Sequence, residues 1–409
     1  MIPRAADTAS TFGAMRHRNF RLWFFGQLTS LVGTWMQVIA QNWLVYQLTG
    51  SAGDLGLVNF VGAIPLVPLT LYAGAIADRF EKRRVIFLCQ ASMMVLAFLL
   101  AALCYTGVVR LWHVMFLAFL LGAAQALDTP ARQAFVVELV GREDLSNAIA
   151  LNSGMFQAAR VLGPAAAGVL VATSGVAGAF FVNGASFLAV LFALFLMDAA
   201  LLRKTGGDRK STRDLLGGVR YLREHRLSGA VVLLISLSAL LAMPYYVLIP
   251  IFAKEVLGRG AEGYGMLMSA AGAGAVIGSL FSASAYVRNR KGATVTAGSL
   301  GFPIFLLAFA FSRGYVAASL LLVAVGFAFV LQNAPANSLL QEQVPDHLRG
   351  RVMAIYVSLF LGMMRVGSLL VGGLASVTSA PASLAILAAA SLLVGLWVRH
   401  RYPELQRSP

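Results

Sequence analysis

Mainly apolar stretches longer than about 18 residues recur along almost the whole chain, and they restrict its fold more than any other feature. A stretch of that length crosses the roughly 30 Å hydrocarbon core of a bilayer as an α-helix. Helices are favoured there because lipid offers no hydrogen-bond partner to an exposed backbone group. Only 12% of the residues are charged, against about a quarter in a soluble protein. We therefore predict an all-α membrane protein.

Charged loops and Gly- or Pro-rich loops divide the apolar sequence into twelve predicted transmembrane helices. Their boundaries are 22–46, 54–77, 85–107, 111–131, 147–173, 176–198, 229–253, 264–287, 293–312, 315–338, 351–378 and 380–398. Loops on one side hold 26 of the 32 Lys and Arg residues, and loops on the other side hold four. Positive charge is retained on cytoplasmic loops, so both termini are predicted to be cytoplasmic. The net charge of +15 is thus explained by topology, and we do not expect a nucleic-acid partner.

The second half of the chain repeats features of the first half at an offset of 205 residues. The matched pairs are Pro130 and Pro335, Arg160 and Arg365, and Gly168 and Gly373. The repeat predicts two pseudo-symmetric six-helix bundles, residues 1–198 and 229–409, joined by a cytoplasmic linker, residues 199–228. Duplications of this kind occur in transporters whose binding site lies at the bilayer midplane between the repeats. A duplicated structural protein without a transport pathway is the alternative.

A short motif occupies the loop between the second and third predicted helices. Its residues are Gly74, Asp78, Arg79, Lys82 and Arg83. It resembles the loop motif of the major facilitator superfamily, although Glu81 stands where that family commonly has Gly. The resemblance implies the major facilitator fold and a conformational latch that holds the two halves together in the outward-facing state. Asp128, at the end of the fourth predicted helix, is the expected acidic partner; alternatively, the basic residues only fix the topology.

A second motif lies in the fifth predicted helix and consists of small residues around a Gly-Pro pair. Its residues are Ala159, Gly163, Pro164, Ala167 and Gly168. It resembles the helix-five motif of the superfamily's exporters, with alanines at 159 and 167 replacing glycines. Small residues allow two helix backbones to approach closely, and the eighth predicted helix offers a matching stripe. That stripe comprises Ala270, Gly274, Gly278 and Ser282.

The stretch Asp128-Thr-Pro-Ala-Arg132, together with Gln341-Glu342 and the Arg349–Arg351 segment, resembles a branch of drug and siderophore exporters within the superfamily. The similarity covers residues from about 15 to 400. It implies a multi-pass protein of the bacterial inner membrane that exports a small amphipathic molecule by alternating access, as a monomer in contact with membrane lipid. Proton antiport is the coupling that the family implies.

Polar and aromatic residues inside the predicted helices are candidates for the substrate cavity. The first predicted helix carries a polar face, because the spacing of three and four residues brings its glutamines to one side. The full candidate set is Gln27, Thr34, Gln37, Gln41, Gln125, Arg160, Tyr245, Tyr246, Gln332, Asn333 and Arg365. The alternative role for such residues is hydrogen bonding between helices.

Arg160 and Arg365 lie deep inside their predicted helices, where an arginine costs at least about 2.5–3.5 kcal/mol. All seventeen acidic residues fall in loops or near predicted helix ends. Two buried cations without a buried anion suggest that an anionic metabolite or a lysophospholipid supplies the negative charge. Hydrogen bonds to backbone carbonyls are the competing explanation.

The sequence lacks the motifs that other functions would require. It has no P-loop, no metal-ligand spacing and no nucleophile motif, so we expect no cofactor, no metal and no enzyme. A receptor would need an output domain, whereas the longest cytoplasmic segment is the 199–228 linker. For proton coupling, Asp128 is the first candidate and Asp78 the second.

Overall fold

The computed structural model describes residues 13–65, 69, 80–203 and 215–407, and those residues form helices joined by short connections. The main helices are α1 Arg18–Thr49, α2 Ala52–Val61, α3 Lys82–Tyr105, α4 Leu111–Val140, α5 Leu145–Leu196, α6 Leu215–Glu224, α7 Arg226–Leu241, α8 Ala261–Ser282, α9 Lys291–Phe311, α10 Tyr315–Gln343, α11 Asp346–Val377 and α12 Ala380–Arg401. The prediction of an all-α membrane fold is confirmed.

Nine helical segments in the described ranges are long and apolar enough to cross a membrane. One of them, α5, has 52 residues and is kinked at Gly175, where φ is 71°. A left-handed backbone of this kind suits glycine, which has no Cβ to clash with the following carbonyl. The predicted helices 147–173 and 176–198 therefore correspond to the two segments of α5 on either side of Gly175. α1 and the described part of α2 are not among the nine.

The seventh predicted helix, 229–253, is interrupted in the structure. α7 ends at Leu241, and a 3₁₀ turn, a single turn containing Pro250 and a π-helical turn at Phe252–Val256 follow it. Pro244 is the second residue of the 3₁₀ turn. Proline lacks a backbone N–H and clashes with the preceding turn of a helix, so the two prolines account for the irregular geometry.

The fourth predicted helix ends too early, and this changes the environment of Asp128. α4 continues to Val140 rather than ending at residue 131, and it retains Pro130 inside the helix. Asp128 therefore lies twelve residues from the end of α4, or about 18 Å along the helix at 1.5 Å per residue. Its expected position at the cytoplasmic end of the helix, and the inference that no acid lies deep within a helix, are wrong.

Helix contacts divide the described residues into two groups. α1, α3, α4 and α5 pack mainly on one another, and so do α7 to α12. The two groups meet along two seams, one between α5 and α8 and one between α2 and α11. Both seams use glycine at positions where a Cβ would press on the opposing backbone: Gly265 and Gly272 at the first, and Gly56 and Gly372 at the second. Small residues permit this close approach.

The small-residue stripe predicted on the eighth helix lies on a different face of α8. At Gly274 and Gly278, a Cβ would meet the backbone of α10, at Val323 and Phe327, rather than α5. The α5 motif instead faces Gly265 and its neighbours on α8. The expectation that the Ala270–Ser282 stripe pairs with the α5 motif is wrong, because α8 carries small residues on two faces and only one of them meets α5.

Candidate substrate cavity

A cavity of about 230 Å³ lies between the two groups of helices. Residues of α1, α4 and α5 line it from the first half, and residues following α7 and on α8 and α11 line it from the second half. Eight of the eleven predicted cavity residues contribute to its wall. They are Thr34, Gln37, Gln41, Gln125, Arg160, Tyr245, Tyr246 and Arg365. The polar face of the first helix thus borders a space shared by both halves.

Arg160 projects from α5 into this cavity and is surrounded by aromatic rings. Its guanidinium carbon lies 5.9 Å from the ring centroid of Trp35 and 5.4 Å from that of Phe329. Such contacts stabilise a cation by about 0.5–2 kcal/mol, which is less than the cost of desolvating it. Among the described residues, Arg160 forms no ion pair with an acid. A bound anion would complete its electrostatic environment.

Arg365 borders the same cavity from α11 and keeps an unused donor. Its Nη1 donates to the backbone carbonyl of Asn59 at 3.4 Å, while its buried Nε has no hydrogen-bond partner. Nearby, Asn59 Nδ2 donates to Asn42 Oδ1 at 2.9 Å, and the Asn42 side chain also interacts with the buried Tyr264 hydroxyl. Buried polar groups are normally paired. The free donor of Arg365 therefore suits a ligand that offers a hydrogen-bond acceptor.

The remaining wall is partly polar and partly aromatic. The Tyr246 hydroxyl lies 3.3 Å from Ser368 Oγ, and the buried Tyr245 ring packs edge-on against Phe302, with centroids 6.3 Å apart. Asn183 donates to Gln37 Oε1. The chemistry of this wall therefore suits an amphipathic molecule, with rings against the aromatic side chains and acceptors toward the arginines.

Three predicted cavity residues lie elsewhere. Gln27 lines a separate cavity nearer the start of α1, and Asn333 lines another that is bordered by α10 and α11. Gln332 is buried and accepts a hydrogen bond from Ser238 at 3.2 Å, so it acts between helices. Gln27 shares a helical face with Gln37 but lies ten residues away, or about 15 Å along the axis.

Four lining residues with hydrogen-bonding side chains were missed at the sequence level. They are Trp35, Asn42, Asn59 and Asn183. Asn183 is an isolated amide in an apolar stretch, which is itself a signal that could have been used. Trp35 and Asn42 lie beside the glutamine face of α1, and a wider polar arc would have included Asn42.

The predicted latch is described only in part. Gly74, Asp78 and Arg79 lie outside the described residues. Lys82 Nζ pairs with Glu138 Oε1 at 2.7 Å, and Arg83 Nη2 donates to the Phe195 carbonyl at 3.5 Å. Asp128 is therefore not the partner of Lys82, because α4 presents Glu138 near its end and Asp128 ten residues deeper; the pairing of Asp128 with Arg79 falls outside the described residues.

Asp128 belongs to a buried polar network on three helices. It pairs with Arg132 Nε at 2.7 Å and accepts from Gln90 Nε2 at 3.1 and 3.2 Å. Ser30 in turn donates to Gln90 Oε1 at 3.3 Å. Asp128 is only 1% exposed, and burying a carboxylate is tolerated when it is paired in this way.

The fifth-helix motif packs against both α1 and α8. Ala159, Gly163, Pro164, Ala167 and Gly168 are all buried. A Cβ at Gly163 would meet Trp35 and the α1 backbone, and one at Gly168 would meet Glu262 and Gly265 of α8. The motif therefore sits where the wall of the cavity joins the first seam.

One end of the space between the halves is closed, and the other end is open. At the closed end, Trp43 stacks on Tyr264 at 6.0 Å, and the Tyr46 hydroxyl donates to Glu255 Oε1 at 2.5 Å. At the opposite end lie two larger cavities of about 890 and 960 Å³, and Gln157 lines both. The first of them also contacts Arg160, so it adjoins the central cavity.

Comparison with known proteins gives a consistent set of similarities. The family model described as "Transmembrane secretion effector" matches residues 9–407. The staphyloferrin A transporter of Staphylococcus aureus is 26% identical over 86% of the chain and 88% of that protein. The enterobactin exporter EntS of Shigella boydii is 27% identical (96% and 93%), and the multidrug efflux pump Tap of Mycolicibacterium fortuitum is 28% identical (91% and 93%).

Two solved structures are similar in fold. The nucleoside transporter NupG has a TM-score of 0.74 at 13% identity, covering 94% of this chain and 99% of that one. A bacterial homologue of the human lysosomal transporter Spinster, crystallised in an inward-facing and occupied conformation, has a TM-score of 0.73 at 14% identity. It covers 96% of this chain and 97% of that one. At such identities the likeness establishes the fold alone.

Proposed function

The chain belongs to the transmembrane secretion effector family of major facilitator transporters, and from this premise we propose that it exports a small amphipathic molecule, drug-like or siderophore-like, by alternating access. The observation that carries the proposal is the central cavity, to which both halves contribute polar and aromatic residues. The enterobactin exporter and the multidrug efflux pump named above support the direction of transport. Together with the staphyloferrin A transporter, they support the class of substrate.

The proposal includes twelve transmembrane helices in two six-helix bundles, residues 1–198 and 229–409, with a cytoplasmic linker at 199–228. Within the described ranges, nine segments have the required length and apolarity. The kink at Gly175 divides α5 into two, and α1 and α2 supply the remaining two helices. Contacts within each half and the 205-residue sequence offset support the division. The protein is proposed to act as a monomer with lipid around its apolar surface.

Alternating access is supported by the asymmetry between the two ends. The aromatic stack and the Tyr46–Glu255 hydrogen bond close the end that the charge distribution assigns to the outside. The wide cavities occupy the end assigned to the cytoplasm, where both termini are proposed to lie. In this reading the structure is an inward-facing state. Closure of the cytoplasmic end around Gln157 and opening of the outer end at Tyr46 would release the substrate outside.

Proton antiport is the proposed source of energy. Asp128 is the leading carrier because it is buried within a membrane helix and its partner Arg132 reaches one of the wide cavities. Protonation of Asp128 would release Arg132, and a charge pair that breaks inside a low-dielectric region can shift a conformational equilibrium. Asp78 is the second candidate, in the latch with Gly74, Arg79, Lys82 and Arg83.

An anionic substrate is the specific alternative within transport. Arg160 and Arg365 have no acidic partner among the described residues, and Arg365 Nε is free. A carboxylate, phosphate or catecholate would satisfy both cations, as an anionic metabolite or a lysophospholipid can.

Transport in proteoliposomes tests the proposal. The purified protein is reconstituted and offered a panel of uncharged, cationic and anionic amphipathic compounds, with and without an imposed pH gradient. We expect saturable flux of at least one compound and acceleration by the gradient. A proton leak that no compound changes, or the absence of flux with the whole panel, would contradict export; flux that ignores the gradient would contradict proton coupling.

A further inference from the structure

The 960 Å³ cavity is separate from the central cavity and has the size of a ligand site. It lies among α1, α4, α5 and α8, near the ends that the charge distribution assigns to the cytoplasm. Pockets for drug-sized ligands usually measure about 300–1,000 Å³. The central cavity, at about 230 Å³, is below that range in this conformation. A whole ligand therefore fits the larger cavity before it fits the central one. We call the larger one the vestibule.

Unpartnered polar atoms line the vestibule. Trp23 Nε1, Gln27 Oε1 and Asn152 Oδ1 are buried and have no hydrogen-bond partner. Trp23 is 1% exposed and Gln27 is 2% exposed. Buried polar groups are normally paired, so three unpartnered atoms in the wall of one cavity indicate a place where a ligand binds.

Part of the remaining vestibule wall is apolar, and the wall reaches toward the first seam. Leu31 and Met155 lie on one side, and Phe156 and Leu280 lie at the rim with exposed side chains. The wall thus suits the apolar body of a molecule whose polar group meets the unpartnered atoms.

A hydrogen bond of 2.9 Å from Gln157 Nε2 to Ser279 Oγ crosses from α5 to α8. Both residues line the vestibule and also the 890 Å³ cavity that adjoins Arg160. This contact lies where the vestibule meets the cavity that adjoins Arg160, so its opening would let a ligand pass inward.

We propose that the vestibule is a first binding site for substrate, distinct from the central cavity, and that it takes an uncharged amphipathic molecule bearing hydroxyl or amide groups. Trp23 donates to an oxygen of the ligand, and Gln27 and Asn152 accept from its O–H or N–H groups. The central cavity, with its two arginines, favours acceptor-rich groups instead. The assignment rests on the proposed function, because it makes the vestibule an entry point for export.

A substitution at Gly154 can fill the vestibule without disturbing a packed contact. Gly154 lines it, and a Cβ at that position would meet no atom within 4 Å. Gly373 on α11 also has open space around its Cβ and lines none of the cavities described above. Gly154→Trp is therefore the test variant and Gly373→Trp its matched control. Trp23→Phe is a second variant, which removes the N–H and keeps a ring against Phe135.

Equilibrium binding of radiolabelled chloramphenicol to the full-length protein in lipid nanodiscs provides the measurement. This probe is uncharged and carries two hydroxyls, an amide and an aromatic ring. We expect saturable binding by the wild type and the Gly373→Trp control, a loss of at least tenfold in Gly154→Trp, and a loss of about 5- to 10-fold in Trp23→Phe. Size-exclusion profiles verify that each variant is folded.

Two results would overturn the assignment: no saturable binding by the wild type, or wild-type affinity in Gly154→Trp. Binding at equilibrium does not require flux. A protein that binds the probe in the vestibule but transports nothing would contradict the proposed function alone. A protein that transports a substrate but shows the same probe binding in the wild type and Gly154→Trp would contradict this inference alone.

Discussion

The hydrogen bond between Tyr46 and Glu255 is the most accessible test of how the closed end is held. The Tyr46 hydroxyl on α1 donates at 2.5 Å to a carboxylate on the π-helical turn of the second half. Replacing Tyr46 with Phe removes this donor. The ring remains, and so do the stacking surface and the contact with the Lys254 ammonium, 5.3 Å from the ring centroid.

The expected magnitude follows from the geometry. A hydrogen bond to a charged group contributes about 1.5–3 kcal/mol. Glu255 is exposed, and solvent screening lowers such contributions, so we take a value just below this range, about 1.4 kcal/mol. That value corresponds to roughly a tenfold change in an equilibrium constant. Tyr46→Phe should therefore shift the ratio of closed to open states about tenfold toward opening at this end.

Distances between spin labels report the shift directly. Labels at Gln47 and Glu262, two exposed positions in opposite halves, are measured by double electron–electron resonance after the native Cys89 and Cys104 are replaced by serine. We expect Tyr46→Phe to increase the long-distance population. The matched control is Tyr315→Phe, which loses a hydroxyl bond of 3.1 Å to the Gly263 carbonyl within one half.

Two outcomes would refute the reasoning. An unchanged distance distribution in Tyr46→Phe would mean that the hydroxyl does not hold the halves together. An equal shift in the Tyr315→Phe control would mean that any lost hydroxyl loosens this end, independently of the contact between the halves.

Three further predictions concern packing, charge and pH. Gly265→Leu places a side chain against the α5 backbone, and such overpacking should cost about 1–3 kcal/mol; an unchanged thermal midpoint would contradict the close seam. Lys82→Ala should lower the free energy of unfolding by about 1–2 kcal/mol, since Lys82 and its partner Glu138 are each only 14% exposed. A double-mutant cycle of thermal unfolding should find coupling between the two sites. A hydrogen bond from His17 lowers the pKa of Asp144 below its ordinary value of 3.8. The contact therefore stabilises the folded state at neutral pH, and this stabilisation is lost as the pH falls through the lowered pKa. Hydrogen exchange at residues 13–21 should accelerate only in strong acid.

Much of the fold follows from the sequence because lipid leaves few choices. Apolar length and backbone satisfaction require helices, and Gly175 lies in the gap between two predicted helices where α5 is kinked. The polar face of the first helix was visible from its spacing, and Thr34, Gln37 and Gln41 do border the central cavity. The resemblance to the major facilitator superfamily, based on the loop and fifth-helix motifs, is confirmed by the family match.

The contacts between helices were harder to predict, because the sequence of a single helix does not determine which neighbour each of its faces meets. The pairing of Lys82 with Glu138 depends on where α4 ends. The sequence predicted an end at residue 131, next to Pro130, whereas α4 retains this proline and continues to Val140. The small residues of α8 face both α5 and α10, and sequence spacing alone does not say which face meets which helix. Gln332 is as polar as Gln125, yet it bonds to a neighbouring helix because Ser238 stands opposite it.

Uptake into inside-out membrane vesicles tests the central claim, that the cavity between the halves carries the exported molecule. An anionic compound that the wild type transports is compared in the wild type, Arg160→Gln, Arg365→Gln and the double variant. Glutamine retains hydrogen bonding and removes the charge, so we expect accumulation to fall at least tenfold in each single variant and to vanish in the double variant. Accumulation at the wild-type rate in the folded double variant would contradict the account.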